Sequence, residues 1–242
     1  MTGSREAVLN AIRASLTEAV FPACHERLIR PSSLADVAGA SAGLSHMLTT
    51  FTAELQALSA HAYSPAGPAE ALDILLGIVR DCGAQAALAW DDEHLPLAGV
   101  RQALTAAGVP ILDATLPGEA AARAARLALL LDRAAVGVTG ALAGLADTGS
   151  VALLSGPGRG RLVSLLPPVH VALLPVTDLY PSLAAFFAAH PGLTRQASNL
   201  LFVTGPSRTA DIEQVLTLGV HGPREVHVLL IPETSELTTD DH

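Results

Sequence analysis

The stretch "GEAAARAARLALLLDRAAVGVTGA", residues 118–141, changes character halfway along. Residues 118–133 are dominated by Ala, Leu and Arg and are strongly helical by propensity. From Ala134 onward the run "AAVGVTGA" is short and almost wholly apolar, as a strand covered on both faces must be. The same alternation recurs on either side. "PAEALDILLGIVRDCG", 68–83, opens with Pro68 at a helix start and stops at Gly83, and "QAALAW", 85–90, follows as a short buried strand. "AGVRQALTAAG", 98–108, predicts a helix closed by Gly108, and "VPILD", 109–113, predicts the next strand. Beyond the opening stretch come strand runs "GSVALLS" (149–155) and "HVALLPV" (170–176), then a helix over "DLYPSLAAFFAAH" (178–190). The last unit is "NLLFVTG" (199–205), a helix over 209–218, and the strand "EVHVLLIPE" (225–233). Strand–helix–strand repetition with near-continuous apolar strands predicts an open, largely parallel α/β sheet with helices on both faces.

Residues 1–60 read as an N-terminal helical extension, 61–232 as the α/β domain, and 233–242 as an acidic flexible tail. Within the extension, Val8, Ile12, Leu16 and Val20 mark one helical face over 4–20, and Leu48, Phe51, Leu55 and Leu58 mark another over 44–59.

Composition narrows the function. The 242 residues carry 14 basic against 23 acidic groups, a formal charge of -9, and 3% aromatics. That balance argues against nucleic acid and anionic membranes as partners, and against a base-stacking platform. Every basic residue is arginine. A Schiff-base lysine and a phosphate-loop lysine are therefore excluded, and an anion must be held by arginine, backbone N–H groups or hydroxyls. The two cysteines, Cys24 and Cys82, are too few for an iron–sulfur cluster and fit a reducing cytoplasm. No segment reads as a membrane span, and no His/carboxylate spacing reads as a metal motif.

In an open α/β sheet, ligands sit at the carboxyl ends of strands, which directs attention to three turns: 140–149, 155–161 and 204–211. In the first, Asp147, Thr148 and Gly149 offer a carboxylate, a hydroxyl and a flexible backbone; an ordinary Asp-Thr-Gly turn is the alternative. In the second, Gly158 and Gly160 alternate with Arg159 and Arg161, and His170 follows at a strand start. Those glycines allow close approach to an anion; an exposed basic hairpin and a satisfied strand histidine are the alternative. In the third, Ser207, Arg208, Thr209 and Asp211 stand at an expected helix start, with His221 further on. No capping box fits there, and Asp211 with Glu213 repels a phosphate.

Together and in this order, "TGALAGLADTGSVAL", "GRGRLVSLLPPVHVALL", "GPSRTADIE" and "LGVHGP" resemble the LutC/YkgG family, whose domain is called LUD for lactate utilisation. The family's usual Glu is replaced by the shorter Asp147. The resemblance implies a NagB/RpiA/CoA-transferase-like fold and a part in oxidising L-lactate to pyruvate beside LutA- and LutB-like iron–sulfur partner proteins. On that view this chain binds no cofactor of its own. Arg159, Arg161 and Arg208 are expected to hold the carboxylate, and Asp147, His170 or His221 to take the hydroxyl proton. Two alternatives stay open: a transferase or ligase acting on a phosphorylated, CoA-linked or folate ligand, and a scaffold subunit without a site.

Overall fold

A computed structural model describes residues 43–193, 199–210, 216–218 and 222–233, together with Glu6, Leu9 and Asn10. The expected helix over 4–20 and the acidic tail lie largely outside the described residues. Over the described chain the elements run α1 (Leu44–Ala57), β1 (His61–Tyr63), α2 (Pro68–Asp81), β2 (Ala86–Ala89), α3 (Val100–Ala106), α4 (Ala120–Arg133), β3 (Ala134–Gly140), β4 (Ala143–Leu145) and β5 (Ser150–Ser155). They continue with α5 (Leu162–Leu165), β6 (Val169–Pro175), β7 (Leu179–Tyr180), α6 (Leu183–Ala189), β8 (Asn199–Val203), β9 (Arg208–Ala210), β10 (Leu216–Leu218) and β11 (Glu225–Ile231). No helix among the described residues is long and apolar enough to cross a membrane.

Five strands form the main sheet in the order β1-β11-β6-β3-β2, every pair parallel. Side chains alternate across such a sheet, so each apolar run feeds two cores. Val171, Leu173, Leu229 and Ile231 join Leu75 and Ile78 of α2 in one of them. Ala172, Leu174, Val226, Val228 and Leu230 join Phe51 and Leu55 of α1 in the other. Phe51 and Leu55 are the two positions of the 44–59 face that become fully enclosed, and the helix they anchor ends at Ala57.

Four further strands form a second sheet, β7-β4-β5-β8, in which β5 runs antiparallel to both neighbours. The runs 149–155 and 199–205 are therefore strands as expected, but they lie outside the parallel sheet. Ala146, just past β4, and Val151 of β5 enter the Phe51 core. Two expected elements shrink. The 109–113 stretch makes a single parallel bridge, Ala87 to Ile111, and 178–190 is helical only over Leu183–Ala189. The expected 209–218 helix is overturned: β9 and β10 pair antiparallel, Thr209 opposite Thr217. The β-branched threonines and the absent capping box fit paired strands better than a helix.

The backbone of α5 packs closely on β3 at Gly137. A Cβ on Gly137 would stand 1.8 Å from the Val163 carbonyl oxygen, whereas one on Gly160 would meet nothing within 4 Å. Backbone cannot retreat as a side-chain tip can, so Gly137→Ala is expected to cost at least about 3 kcal/mol or to prevent folding. Gly160→Ala should stay within about 0.5 kcal/mol of the parent. Denaturant unfolding of both variants checks this; equal stabilities would contradict the packing described.

Candidate functional site

β2 feeds α3 and then the 109–112 segment on one side of itself, while β3 lies on its other side. Ala87 N–H donates to Pro110 O at 3.0 Å, and Leu112 N–H donates to Ala87 O at 2.9 Å. The chain thus diverges at β2, and the crevice outside its carboxyl end is the position where α/β sheets bind ligands. Trp90 and Asp91 follow β2 directly, and Trp90 N–H continues the ladder onto Val138 O. Arg101 Nη1 reaches back from α3 to the carbonyls of Ala89 at 3.2 Å and Trp90 at 3.1 Å. It also stands 3.7 Å from Asp91 Oδ1.

The loop that follows β5 closes over this crevice. Gly156 and Arg159 exchange two backbone hydrogen bonds of 3.2 Å, making "GPGR" a tight hairpin turn. Pro157 at the second position and Gly158 at the third, with φ +68°, fit a type II turn. The left-handed φ of Gly158 favours glycine, and a Cβ there would stand 2.6 Å from Asp91 Oδ2, which would have to shift. Three bonds fasten the loop: Asp91 N–H to Gly158 O at 2.9 Å, Trp90 Nε1–H to Gly160 O at 3.1 Å, and His94 Nε2 to Pro157 O at 3.0 Å. Pro157 O can only accept, so His94 carries its hydrogen on Nε2.

Arg159, half-buried along Gly156, lines a cavity of about 280 Å3 with Trp90, Glu93, His94 and Leu142. Among the described residues none accepts from its buried Nε–H, and none forms an ion pair with it. Arg161, exposed, precedes α5, and its carbonyl accepts from Ser164 Oγ.

The other predicted residues lie elsewhere. β8 is antiparallel to β5, with Val203 opposite Val151 and Asn199 opposite Ser155. The 204–208 turn therefore lies at the opposite end of β5 from Arg159, about 17 Å away at the usual rise per residue. There Thr148 Oγ1, Ser150 Oγ and Thr204 Oγ1 form a hydroxyl chain with links of 2.9 and 2.7 Å. Gly149, with φ +61°, presses against α1, where a Cβ would stand 2.8 Å from Leu55 N. Asp147 is exposed, and its N–H donates to Pro181 O at 3.3 Å. Arg208 donates to the Leu58 carbonyl and, at 3.1 Å, to Ser59 Oγ, so it closes the end of α1. Ser207 N–H donates to Pro223 O at 2.8 Å, just ahead of β11, at the amino edge of the main sheet. The expected gathering of Arg159, Arg161 and Arg208 around one carboxylate is thus not found. Asp211, His221 and the Thr209 side chain lie outside the described residues.

His170 is wholly buried at the amino end of β6, with Nε2 2.9 Å from Thr139 Oγ1 and Nδ1 without a partner among the described residues. Burial, aided by the nearby His227, pushes its pKa down to about 4. Sealed in this way, it has no route to a substrate. Among the described residues no three His, Cys, Asp or Glu side chains gather as a metal site. Sequence reasoning missed Trp90, Asp91, His94 and Arg101. The available signal was that Trp90 ends the strand run "QAALAW" and His94 follows it closely, but nothing in the sequence showed that the glycine loop would fold onto that strand end.

The buried histidine sets a pH dependence. The unfolded chain takes up a proton near pH 6.5 and the folded chain only near 4. Stability from this site is therefore complete above about pH 6.5 and falls by roughly 3 kcal/mol as pH drops to 4. Denaturant titrations at pH 7 and pH 4.5 should show a clearly smaller loss in His170→Gln than in the parent. Identical losses would contradict a neutral buried imidazole.

Comparison with known proteins gives consistent results. The LUD domain family matches residues 48–231. A protein named lactate utilization protein C from Halalkalibacterium halodurans is 36% identical over 151 residues, 60% of this chain and 62% of that protein. The protein of the same name from Shouchella clausii is 34% identical over 154 residues, 62% of this chain and 64% of that one. The match thus spans less than two thirds of either relative. The crystal structure of a DUF162 family protein from Deinococcus radiodurans aligns with a TM-score of 0.50 at 19% identity, covering 78% of this chain and 98% of that one, which shows the fold.

Proposed function

Because this chain belongs to the LUD domain family, we propose that it serves lactate utilisation and binds L-lactate or pyruvate as part of a lactate-oxidising assembly. The observation that carries the ligand class is Arg159. A half-buried guanidinium without an ion pair among the described residues lines a cavity of about 280 Å3, roomy for a three-carbon acid. The terminal nitrogens of a guanidinium meet a carboxylate with charge-assisted hydrogen bonds. With no lysine in the chain, arginine is the only side chain that holds such an anion by a permanent charge.

Oxidation of L-lactate to pyruvate removes two electrons and two protons. Arg159 anchors the carboxylate. His94 lines the same cavity, and since its Nε2 donates to Pro157 O, its Nδ1 is the nitrogen able to accept the hydroxyl proton. This replaces Asp147 and His170, which lie on an exposed turn away from Arg159 and inside the core respectively. The Cα hydrogen would leave with its electron pair as a hydride equivalent to an acceptor on LutA- and LutB-like partner proteins. Their iron–sulfur clusters would carry the two electrons onward while the second proton passes to solvent; this chain would contribute binding and orientation.

Calorimetric titration with L-lactate and with pyruvate tests the reading. Arg159→Ala is expected to weaken both at least tenfold, and Arg159→Lys to recover part of the loss, since a point charge lacks the planar fork. Unchanged affinity in Arg159→Ala would remove the carboxylate site from this cavity.

A further inference from the structure

The loop that fastens over β2 serves two spaces. Arg159 faces the small cavity, whereas Gly156, Pro157, Gly158 and Gly160 wall a separate cleft of about 520 Å3. That cleft is several times too large for lactate and lies within the usual range for small-molecule sites. Its other walls include the carboxyl ends of β2 and of the adjoining 109–112 segment, so it occupies the divergence point of the sheet.

The cleft's charges decide what it can hold. Arg101 is its cation, and that guanidinium is already engaged by the Ala89 and Trp90 carbonyls and flanked by Asp91 at 3.7 Å and Asp92 at 3.9 Å. Asp91 and Asp113 both line the cleft and both keep acceptor capacity. Asp113 Oδ1 accepts from Thr115 N–H at 2.8 Å, its Oδ2 stands 3.7 Å from Arg126, and hydrogen bonds from Thr115 hold its carboxyl below the usual range. An ionised carboxylate is acceptor-only. The occupant must therefore donate hydrogen bonds and carry no negative charge. The apolar Ile111, Leu112, Ala114 and Val163 line the same cleft, a surface suited to a ring.

From this arrangement we infer a second ligand site, in which Asp91 and Asp113 receive the vicinal hydroxyls of an uncharged ring-bearing ligand seated on the Ile111–Ala114 wall. A nucleoside and a free sugar both present that chemistry. The inference is independent of the lactate reading, because it uses neither Arg159 nor His94.

Calorimetry on the full chain with adenosine, 2′-deoxyadenosine, D-ribose and adenosine 5′-monophosphate separates the possibilities. Adenosine is expected to bind, its 2′-deoxy analogue at least tenfold more weakly, and the monophosphate more weakly than the nucleoside. Ribose binding as tightly as adenosine would assign the site to a sugar. Asp91→Asn and Asp113→Asn should each weaken binding about tenfold while circular dichroism stays that of the parent, and Asp113→Asn should keep its lactate affinity. The inference is overturned if neither adenosine nor ribose binds at millimolar concentration, if the 2′-deoxy analogue or the monophosphate matches adenosine, or if both Asn variants bind like the parent. Nucleoside binding without lactate binding would leave this site standing and remove the other; the converse would do the opposite.

Discussion

Three hydrogen bonds between the "GPGR" loop and the residues after β2 hold the two sheets in their working relation at this edge. The donors are Asp91 N–H, Trp90 Nε1–H and His94 Nε2, and the acceptors are the Gly158, Gly160 and Pro157 carbonyls. Each joins the main parallel sheet to a loop of the second sheet. Without them the carboxyl end of β2 would be an open strand end; with them it is walled on one side, and Arg159 is held beside His94. Gly158 suits the turn because its φ of +68° is a conformation that favours glycine.

The antiparallel run of β5 against β8 has an equally large consequence. It sends the glycine loop to one end of the second sheet and the 204–208 turn to the other. Arg208 consequently spends its hydrogen bonds on the end of α1, and the Thr148–Ser150–Thr204 hydroxyls satisfy one another. Polar residues that look alike in sequence thus divide into those that hold the fold and those left free to meet a ligand. Arg101 belongs to the first group, whereas Arg159 forms no ion pair among the described residues.

The parallel sheet was legible because strands buried on both faces must be apolar throughout, and 134–140 and 169–175 show no polar alternation. Helices α2 and α4 were legible from Pro68 and from the Ala/Leu composition of 120–133. The second sheet was not legible, because its runs are just as apolar and nothing local distinguishes a parallel from an antiparallel neighbour. The 208–218 segment misled for a different reason: a strand, a Gly-Pro-Ser turn and acidic residues imitate a helix entry. Of the site, Arg159 and its glycines were found from their alternation in the turn after the 149–155 strand, whereas Trp90, His94 and Arg101 depend on a loop contact that no spacing rule encodes.

The central claim is that Arg159 is the carboxylate contact. Nitrogen-15 NMR of arginine Nε–H groups during an L-lactate titration observes it most directly. The Arg159 resonance should shift saturably, with pyruvate competing for the same change, while that of Arg208 stays fixed at the end of α1. A still Arg159 signal, or a lactate-dependent shift confined to Arg208, would contradict the account.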